Sequence, residues 1–580
     1  MSEPALTAAE RWIVRTVAFA VPLIYSPVTY DGYVLPKLLL ARAAVLALLF
    51  VQLVRMASPR GLSLRRTPLD AAWLALLASA MLSTIVAVNV NVAIFGTYGR
   101  YDGLLTLVLY ALLFYLCAHA IQSRAEARTV LRVLVAGGYV VAAIAIFQSV
   151  RDSLVTGSVA PAYGSLGNPN VLGGYLAMVI ALAVGEVVEA RSWAARVLGL
   201  NAVLVPALAL VLTFSRSGWV AGAVGVCVVV LGGRLRARSP SGASRHLPMN
   251  GEDHSPSRSL VLAGVAVGAV LLVIGVVAVG AGPQVQQHVA ARAFSLSDPG
   301  SSRVGIWKDS LRLVASRPLT GYGPDTVGLV FPRFQSGDWG LAAGHIRQPI
   351  DKAHAEALQV AATQGVLGLA AYVFMLVMFV RVFWRGRRGE FAVPVFAAWV
   401  AYEVELQVNF TALGSAFPFW ILAAAAIVTW DGVIPWRTVK APRPSAAVGG
   451  AALVAAFAAG VVVPFVADAD LKQAYDDDVL GPRAQAAPLA ATAAKLSPQE
   501  SVYATEVANI AFERGHWEDA RAGYREAIRL GSFNPLVYRN LALADQRLGL
   551  VAEARDAARE AVRFGPYDPS NQVFLAQFGP

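Results

Sequence analysis

The stretch that decides the fold is 261–280, VLAGVAVGAVLLVIGVVAVG. It contains no charged residue and no polar alternation. About 20 such residues cross the hydrocarbon core of a bilayer as one helix. In lipid only helices and closed barrels satisfy their own backbone groups, and a run without strand-like alternation is a helix. Working outward, comparable runs occupy 12–28, 34–54, 70–89, 103–121, 130–150, 168–189, 196–214, 218–234, 259–281, 354–383, 391–411, 414–432 and 447–467, about 13 spans. The composition agrees: of 580 residues, 57% are hydrophobic and only 15% charged, where a soluble domain has about a quarter charged. The expected fold class is therefore all-α, a polytopic membrane helix bundle. The first run lacks a small-residue cleavage site and reads as a retained anchor. Cys117 and Cys227 both fall inside apolar runs and read as packing residues, with no disulfide framework.

The net charge of +11 belongs to the membrane part. Residues 468–580 carry 12 Lys/Arg and 16 Asp/Glu, which leaves the remainder at +15. That excess sits in alternate short loops. One set holds Arg55, Arg60, Arg65 and Arg66; Arg124 and Arg128; Arg191 and Arg196; Arg234, Arg236, Arg238, Arg245 and Arg258; Arg381, Arg385, Arg387 and Arg388; and Arg437, Lys440 and Arg443. The other set (29–33, 90–102, 151–167, 215–217, 412–413) is nearly charge-free. Cytoplasmic loops carry the positive excess, so the N-terminus is expected in the cytoplasm. The 282–353 loop and everything after the last span are then extracytoplasmic. Topology accounts for the basic balance, and no nucleic-acid partner is expected. Residues 236–258 are rich in Ser, Pro, Arg and Gly and read as a linker.

Two domains follow: 1–467, a multi-pass membrane domain with 282–353 as its large external loop, and 468–580. The second has a 34-residue period. Gly515 recurs as Gly549, Ala520 as Ala554, Ala527 as Ala561 and Pro535 as Pro569. Ala493 and Leu496 begin an earlier half-repeat. This resembles tetratricopeptide helical repeats, which present concave protein-binding surfaces.

Charged residues at membrane spans are functional candidates by default. Four external segments carry them. FGTYGRYDG (95–103) places Arg100 and Asp102 at a span end. LGNPNVLGGY (166–175) reads as a capping turn at Asn168. TFSRSGW (213–219) places Arg216 between two spans on the side where positive charge is disfavoured, so it calls for an anion such as a phosphate. The fourth segment runs from 302 into the span at 354. An amphipathic helix is expected over 302–316, with Val304, Trp307, Leu311 and Val314 on one face and Arg303 one turn before Trp307. Then comes DKAHAEALQVAATQGVLG, with Asp351 three residues before His354 and Glu356 two after it. Imidazole is the usual proton acceptor near neutrality. Asp351 is placed to orient it or to cap the helix, Glu356 to pair with Lys352, and Gly365 and Gly368 to allow close helix approach.

Taken together, these segments resemble the O-antigen ligase and polymerase family of bacterial membrane glycosyltransferases over nearly all of 20–435. The most specific part is Arg303-x3-Trp307, then RPLTGYG, then DKAHAEAL, then GVLG. Ala355 stands where the family commonly has Asn. The resemblance implies a glycosyltransferase-C-like bundle in the bacterial cytoplasmic membrane. It implies inverting transfer of a glycan from an undecaprenyl-diphosphate carrier to an acceptor hydroxyl of a glycan, lipid or protein, with no metal and no cofactor. His354 would be the base, with Asp351 or Glu356 sharing that task. Arg216, Arg303 and Arg100 would bind the diphosphate, and the repeats could hold a protein partner. Three rivals stand beside a ligase. A polymerase joins lipid-linked repeat units. A transporter would place charge within its spans, where this reading finds Glu403 and Glu405. A non-catalytic scaffold would only present the repeats.

Overall fold

A computed structural model describes residues 2–238, 300–337, 350–479 and 483–579. The predicted span 259–281, most of the linker and residues 282–299 and 338–349 of the 282–353 loop lie outside the described residues. The membrane part begins with α1 (Glu3–Ala20), α2 (Leu35–Met56), α3 (Asp70–Ile85), α4 (Val90–Phe95) and α5 (Leu104–Ala120). It continues through α6 (Arg124–Thr156), α7 (Pro169–Glu189), α8 (Trp193–Leu212), α9 (Arg216–Arg238) and α10 (Gly300–Ser316). After these come α11 (Glu356–Gly386), α12 (Ala392–Leu406), α13 (Leu413–Thr429) and α14 (Arg443–Val479). Each predicted span within the described residues overlaps a helix, although the first, expected over 12–28, is a helix over Glu3–Ala20. Six of them (α2, α6, α7, α8, α11 and α14) are long and apolar enough to cross a membrane, and α3, α5, α13 and the start of α9 are shorter apolar helices.

The bundle is built around α7. Asn168 caps it by accepting from the amides of Asn170 (2.9 Å) and Val171 (3.3 Å), and Pro169 opens it. From Leu172 to Val184 its side chains are almost wholly buried. Small residues bring its neighbours close: a Cβ on Gly185 would meet Pro394 of α12 at 2.3 Å, and one on Gly225 of α9 would meet Ala401 of α12 at 2.9 Å. Close backbone approach of this kind drives helix association in lipid.

The two loop sets end up at opposite ends. At one end β1 (Leu62–Arg66) pairs antiparallel with β2 (Ile434–Val439), joining two arginine-bearing loops. Arg128 bridges to Glu186 and Glu189, and Glu189 accepts the Phe391 amide. This strand pair is the one departure from an all-α chain among the described residues. At the other end, loops 29–33, 89–103 and 327–337 meet the C-terminal helices.

Those helices are α15 (Arg483–Leu496), α16 (Ser501–Glu513), α17 (Trp517–Arg529), α18 (Pro535–Arg547), α19 (Val551–Phe564) and α20 (Pro569–Ala576). Their starts recur every 34 residues: 483, 517 and 551 in one series, 501, 535 and 569 in the other. The closest contacts recur too, at Ala486, Ala520 and Ala554, and at Ala474, Ala508 and Ala542, all fully buried. Ala474 belongs to α14, so the period begins inside the last membrane helix. The expected boundary at 467/468 is therefore not a break, because α14 runs unbroken through it. The helix contains a π-turn at Ala458–Val462, whose Gly460 carbonyl accepts from Arg42 of α2 at 3.1 Å. Asp468, fully buried, anchors the junction: it accepts from the Asp31 amide (2.9 Å), Tyr98 (2.5 Å) and Tyr503 (2.8 Å).

Three readings need correction. Arg42 and Lys37 lie inside α2, so Glu403 and Glu405 are not the only charges within spans; Lys37 is held by the carbonyls of Ile24, Tyr33 and Ser165. The helix over 300–316 is present, but Val304 and Leu311 are exposed, and the buried stripe is Ile306, Asp309, Ser310 and Leu313. Asp309 explains the rotation, since its carboxylate accepts from the amide and hydroxyl of Ser336. Cys227 is exposed, unlike Cys117.

Candidate active site

The site lies at the end of the bundle that meets the C-terminal helices. Its centre is the buried Phe410 ring, in the loop between α12 and α13. The Arg100 guanidinium lies over one part of the ring at 5.0 Å, and the His354 imidazole meets it edge-on at 5.2 Å. Arg100 also donates from Nε to Asp351 at 2.6 Å. Burial opposes its charge, but Asp351, then Asp325 and Asp102, outweigh that and raise its pKa.

His354 does not sit on the helix. α11 starts at Glu356, after Ala355 as N-cap, and His354 has a left-handed φ of 52° in the lead-in. Asp351 therefore does not cap α11. The unusual backbone turns the His354 carbonyl to Trp307 of α10, whose indole donates to it at 3.1 Å. One turn earlier on α10 is Arg303, so this bond docks the Arg303 helix against the histidine segment.

Arg303 faces Glu405 of α12 closely enough to interact electrostatically, and Glu405 also accepts from Ser217 and Asn409. Ser217 follows Arg216, the first residue of α9. The turn is shaped by Phe214, at φ 52°, and by the 3.0 Å contact between the Ser215 and Ser217 hydroxyls. Gly173 and Gly174 explain the second glycine-rich motif: a Cβ on Gly173 would sit 3.2 Å from Ser215, and one on Gly174 2.7 Å from Glu405 Oε2. Interactions thus run from Arg100 through Phe410 and His354 to Trp307, one turn along α10 to Arg303, and from its charge through Glu405 to Ser217.

A second network braces the first. Lys352, 1% exposed, donates to Asp102 and Asp325, each at 2.8 Å. Burial would strip its proton, but the two carboxylates hold its pKa above the usual ammonium value. Burial raises Asp102; Lys352 counters this, and Asp325 adds to it. Asp325 also accepts from the Thr97 amide (2.7 Å) and hydroxyl (2.9 Å), tying the Arg100 loop to the 320–337 segment. Lys352 thus joins two aspartates instead of the expected Glu356. Glu356 accepts the Thr411 amide at 2.9 Å and holds the Phe410 loop.

The glycines after His354 serve a backbone joint. α11 breaks at Gly365 (φ 67°), freeing the carbonyls of Ala362 and Thr363 to accept from Tyr322 and Gly323, while Val366 donates to Pro318. RPLTGYG and TQGVLG are the two halves of that joint. A loop backbone, not a neighbouring helix, makes the close approach at Gly365.

Residues 201–373 match the model of the O-antigen ligase family. No curated protein matches the chain. The O-antigen ligase match covers less than a third of the chain. It contains Arg216, Arg303, Asp351, His354 and Glu356, and leaves Arg100, Phe410, Glu405 and the C-terminal helices outside. Over that stretch the chain is similar to membrane enzymes of the O-antigen ligase and polymerase type, which work on lipid-linked glycans and acceptors. The multi-helix apolar bundle accords with a bacterial membrane location.

Sequence reasoning found Glu405 only as a charge within a span and did not place it, Phe410 or Asp325 in the site. Glu405 had a signal, a carboxylate within a span. Phe410 and Asp325 act through contacts between distant segments, for which one sequence holds no signal.

Proposed function

We propose that the protein transfers a glycan from an undecaprenyl-diphosphate carrier to an acceptor hydroxyl on the outer face of the cytoplasmic membrane. The acceptor oxygen attacks the anomeric carbon as the His354 imidazole takes its proton. The bond from that carbon to the diphosphate oxygen breaks, and its electron pair leaves with the diphosphate. Attack opposite the leaving group inverts the centre. Arg216, Arg303 and Arg100 compensate the charge that develops on the diphosphate. Donors fixed in advance do this without reorganisation. Asp351 holds Arg100, and Glu356 holds the Phe410 loop. On this reading the arginine-rich end is cytoplasmic, and the 34-residue helix pairs form an extracytoplasmic tetratricopeptide-like domain.

The observation that carries the reading is the convergence of Arg100 and His354 on one ring while the helix of Arg303 docks on the His354 carbonyl. The test is transfer by purified protein supplied with lipid-linked oligosaccharide and candidate acceptors. His354→Ala and Arg303→Ala should each lower the rate by about 10² or more, with the released lipid diphosphate falling in parallel. Full transfer by both variants would overturn this site assignment, and no transfer by the unmutated protein would leave only a scaffold. The linked acceptor distinguishes ligase from polymerase.

A further inference from the structure

Beside the candidate site a narrow slot descends into the bundle between α3, α5, α11, α12 and α13. Its rim carries Asp102, Asp325 and Glu356. Below them are Glu403 and Tyr372, whose hydroxyl donates to Glu403 at 2.8 Å. The floor is apolar and aromatic, with Phe379, Trp399 and Trp420. Along α11 the lining runs from Glu356, across the break at Gly365, to Phe379, at most about 35 Å at helical rise; the hydrocarbon core is about 30 Å deep. A lining drawn out along α11 suits a chain better than a compact head.

Two observations identify the head. First, Tyr110 lines the slot and is 3% exposed, and its hydroxyl has no hydrogen-bond partner among the described residues. Buried hydroxyls are nearly always paired, so this one is poised for an oxygen that a ligand brings. Second, the ionisable lining is acidic. Among the described residues no Lys or Arg lines the slot, and the nearby Lys352 ammonium is already shared by Asp102 and Asp325. A phosphate would meet four carboxylates there, whereas sugar or glycerol hydroxyls would donate to them.

We propose that the slot holds a membrane amphiphile with a long apolar chain and an uncharged, hydroxyl-bearing head. Resting on the function proposed above, this amphiphile is the acceptor. Its chain lies along α11, and an ether or ester oxygen below the head takes the Tyr110 hydroxyl. The head stops at Asp102 and Glu356, two residues from His354. Donor and acceptor are then sorted by charge, the diphosphate to the arginines and the neutral head to the carboxylates.

The test uses the full chain in nanodiscs with two photoreactive probes that share one diazirine-bearing alkyl chain, an alkyl glucoside and an alkyl phosphate. The glucoside should label α11 and α13 saturably, and the phosphate at least tenfold more weakly. Tyr110→Phe, which keeps the ring, should weaken glucoside labelling three- to tenfold, and Ala416→Trp should block it. Equal labelling by both probes, no labelling of these helices, or labelling unchanged in both variants overturns the proposal. If labelling holds while His354→Ala retains transfer, the slot stands and the catalytic reading falls. If transfer needs His354 but the slot stays unlabelled, the reverse is true.

Discussion

Replacing Lys352 by Met keeps the stem and removes the only ammonium between Asp102 and Asp325. Both oxygens lie 2.8 Å from Nζ, so they are at most about 5.6 Å apart. At an effective dielectric of about 20, two charges at that separation repel by about 3 kcal/mol. Removing one partner of a buried ion pair costs about 3–5 kcal/mol in measured cases. The two Thr97 bonds to Asp325 remain, so the damage concentrates on Asp102. Its pKa is already raised by burial, and without Lys352 it rises further. A carboxyl with a raised folded-state pKa binds its proton more tightly folded than unfolded, so stability falls as pH climbs from the unfolded value through the folded one. Lys352→Met should therefore lower the unfolding temperature by several degrees at pH 8 and by less than half as much at pH 5. Adding Asp102→Asn should restore most of the loss at pH 8. Thermal unfolding of the full chain in detergent measures all four cases. An equal loss at both pH values, or no rescue by Asp102→Asn, would refute the charge argument.

Gly174→Ala places a methyl against Glu405 and should push the carboxylate off Ser217 and Arg303, lowering transfer about tenfold for a stability loss of about 1–3 kcal/mol. Steady-state transfer compared with melting would separate the two effects. Gly365→Ala meets the Leu319 carbonyl at 2.2 Å with a left-handed φ, so at least about 2 kcal/mol should be lost; an unchanged melting curve would mean the joint is not formed. Burial, then Asp468, pushes Glu500 up to about 7. Its contribution therefore weakens stability as pH rises from about 4.5 to about 7. Glu500→Gln should flatten that decline, as seen in melts at pH 5 and pH 8.

Much of this architecture was readable from local pattern. Uncharged runs located the helices, and Asn168-Pro169 announced its cap, because both signals act within a few residues. Periodicity showed which residues of 302–316 share a face, but not which face turns inward. Asp309 decided that by satisfying Ser336, a partner 27 residues away. Lys37 and Arg42 were visible as charges inside an apolar run, but not what neutralises their cost, since their hydrogen-bond partners are backbone carbonyls. The four segments singled out at the site do come together, yet what joins them (Glu405, Phe410, Asp325) is read only in three dimensions.

The unbroken passage of α14 into the C-terminal helices makes that domain a load on a shaft and not a weight on a string. One extra residue between Gly460 and Asp468 would turn everything beyond it by about 100° and raise it about 1.5 Å. Asp468 would swing away from Asp31 and Tyr98, and the Arg100 loop would lose its outer support. A flexible tether would absorb such an insertion, whereas here length and rotation are geared together, so only additions close to whole helical turns could keep the cap facing the candidate site.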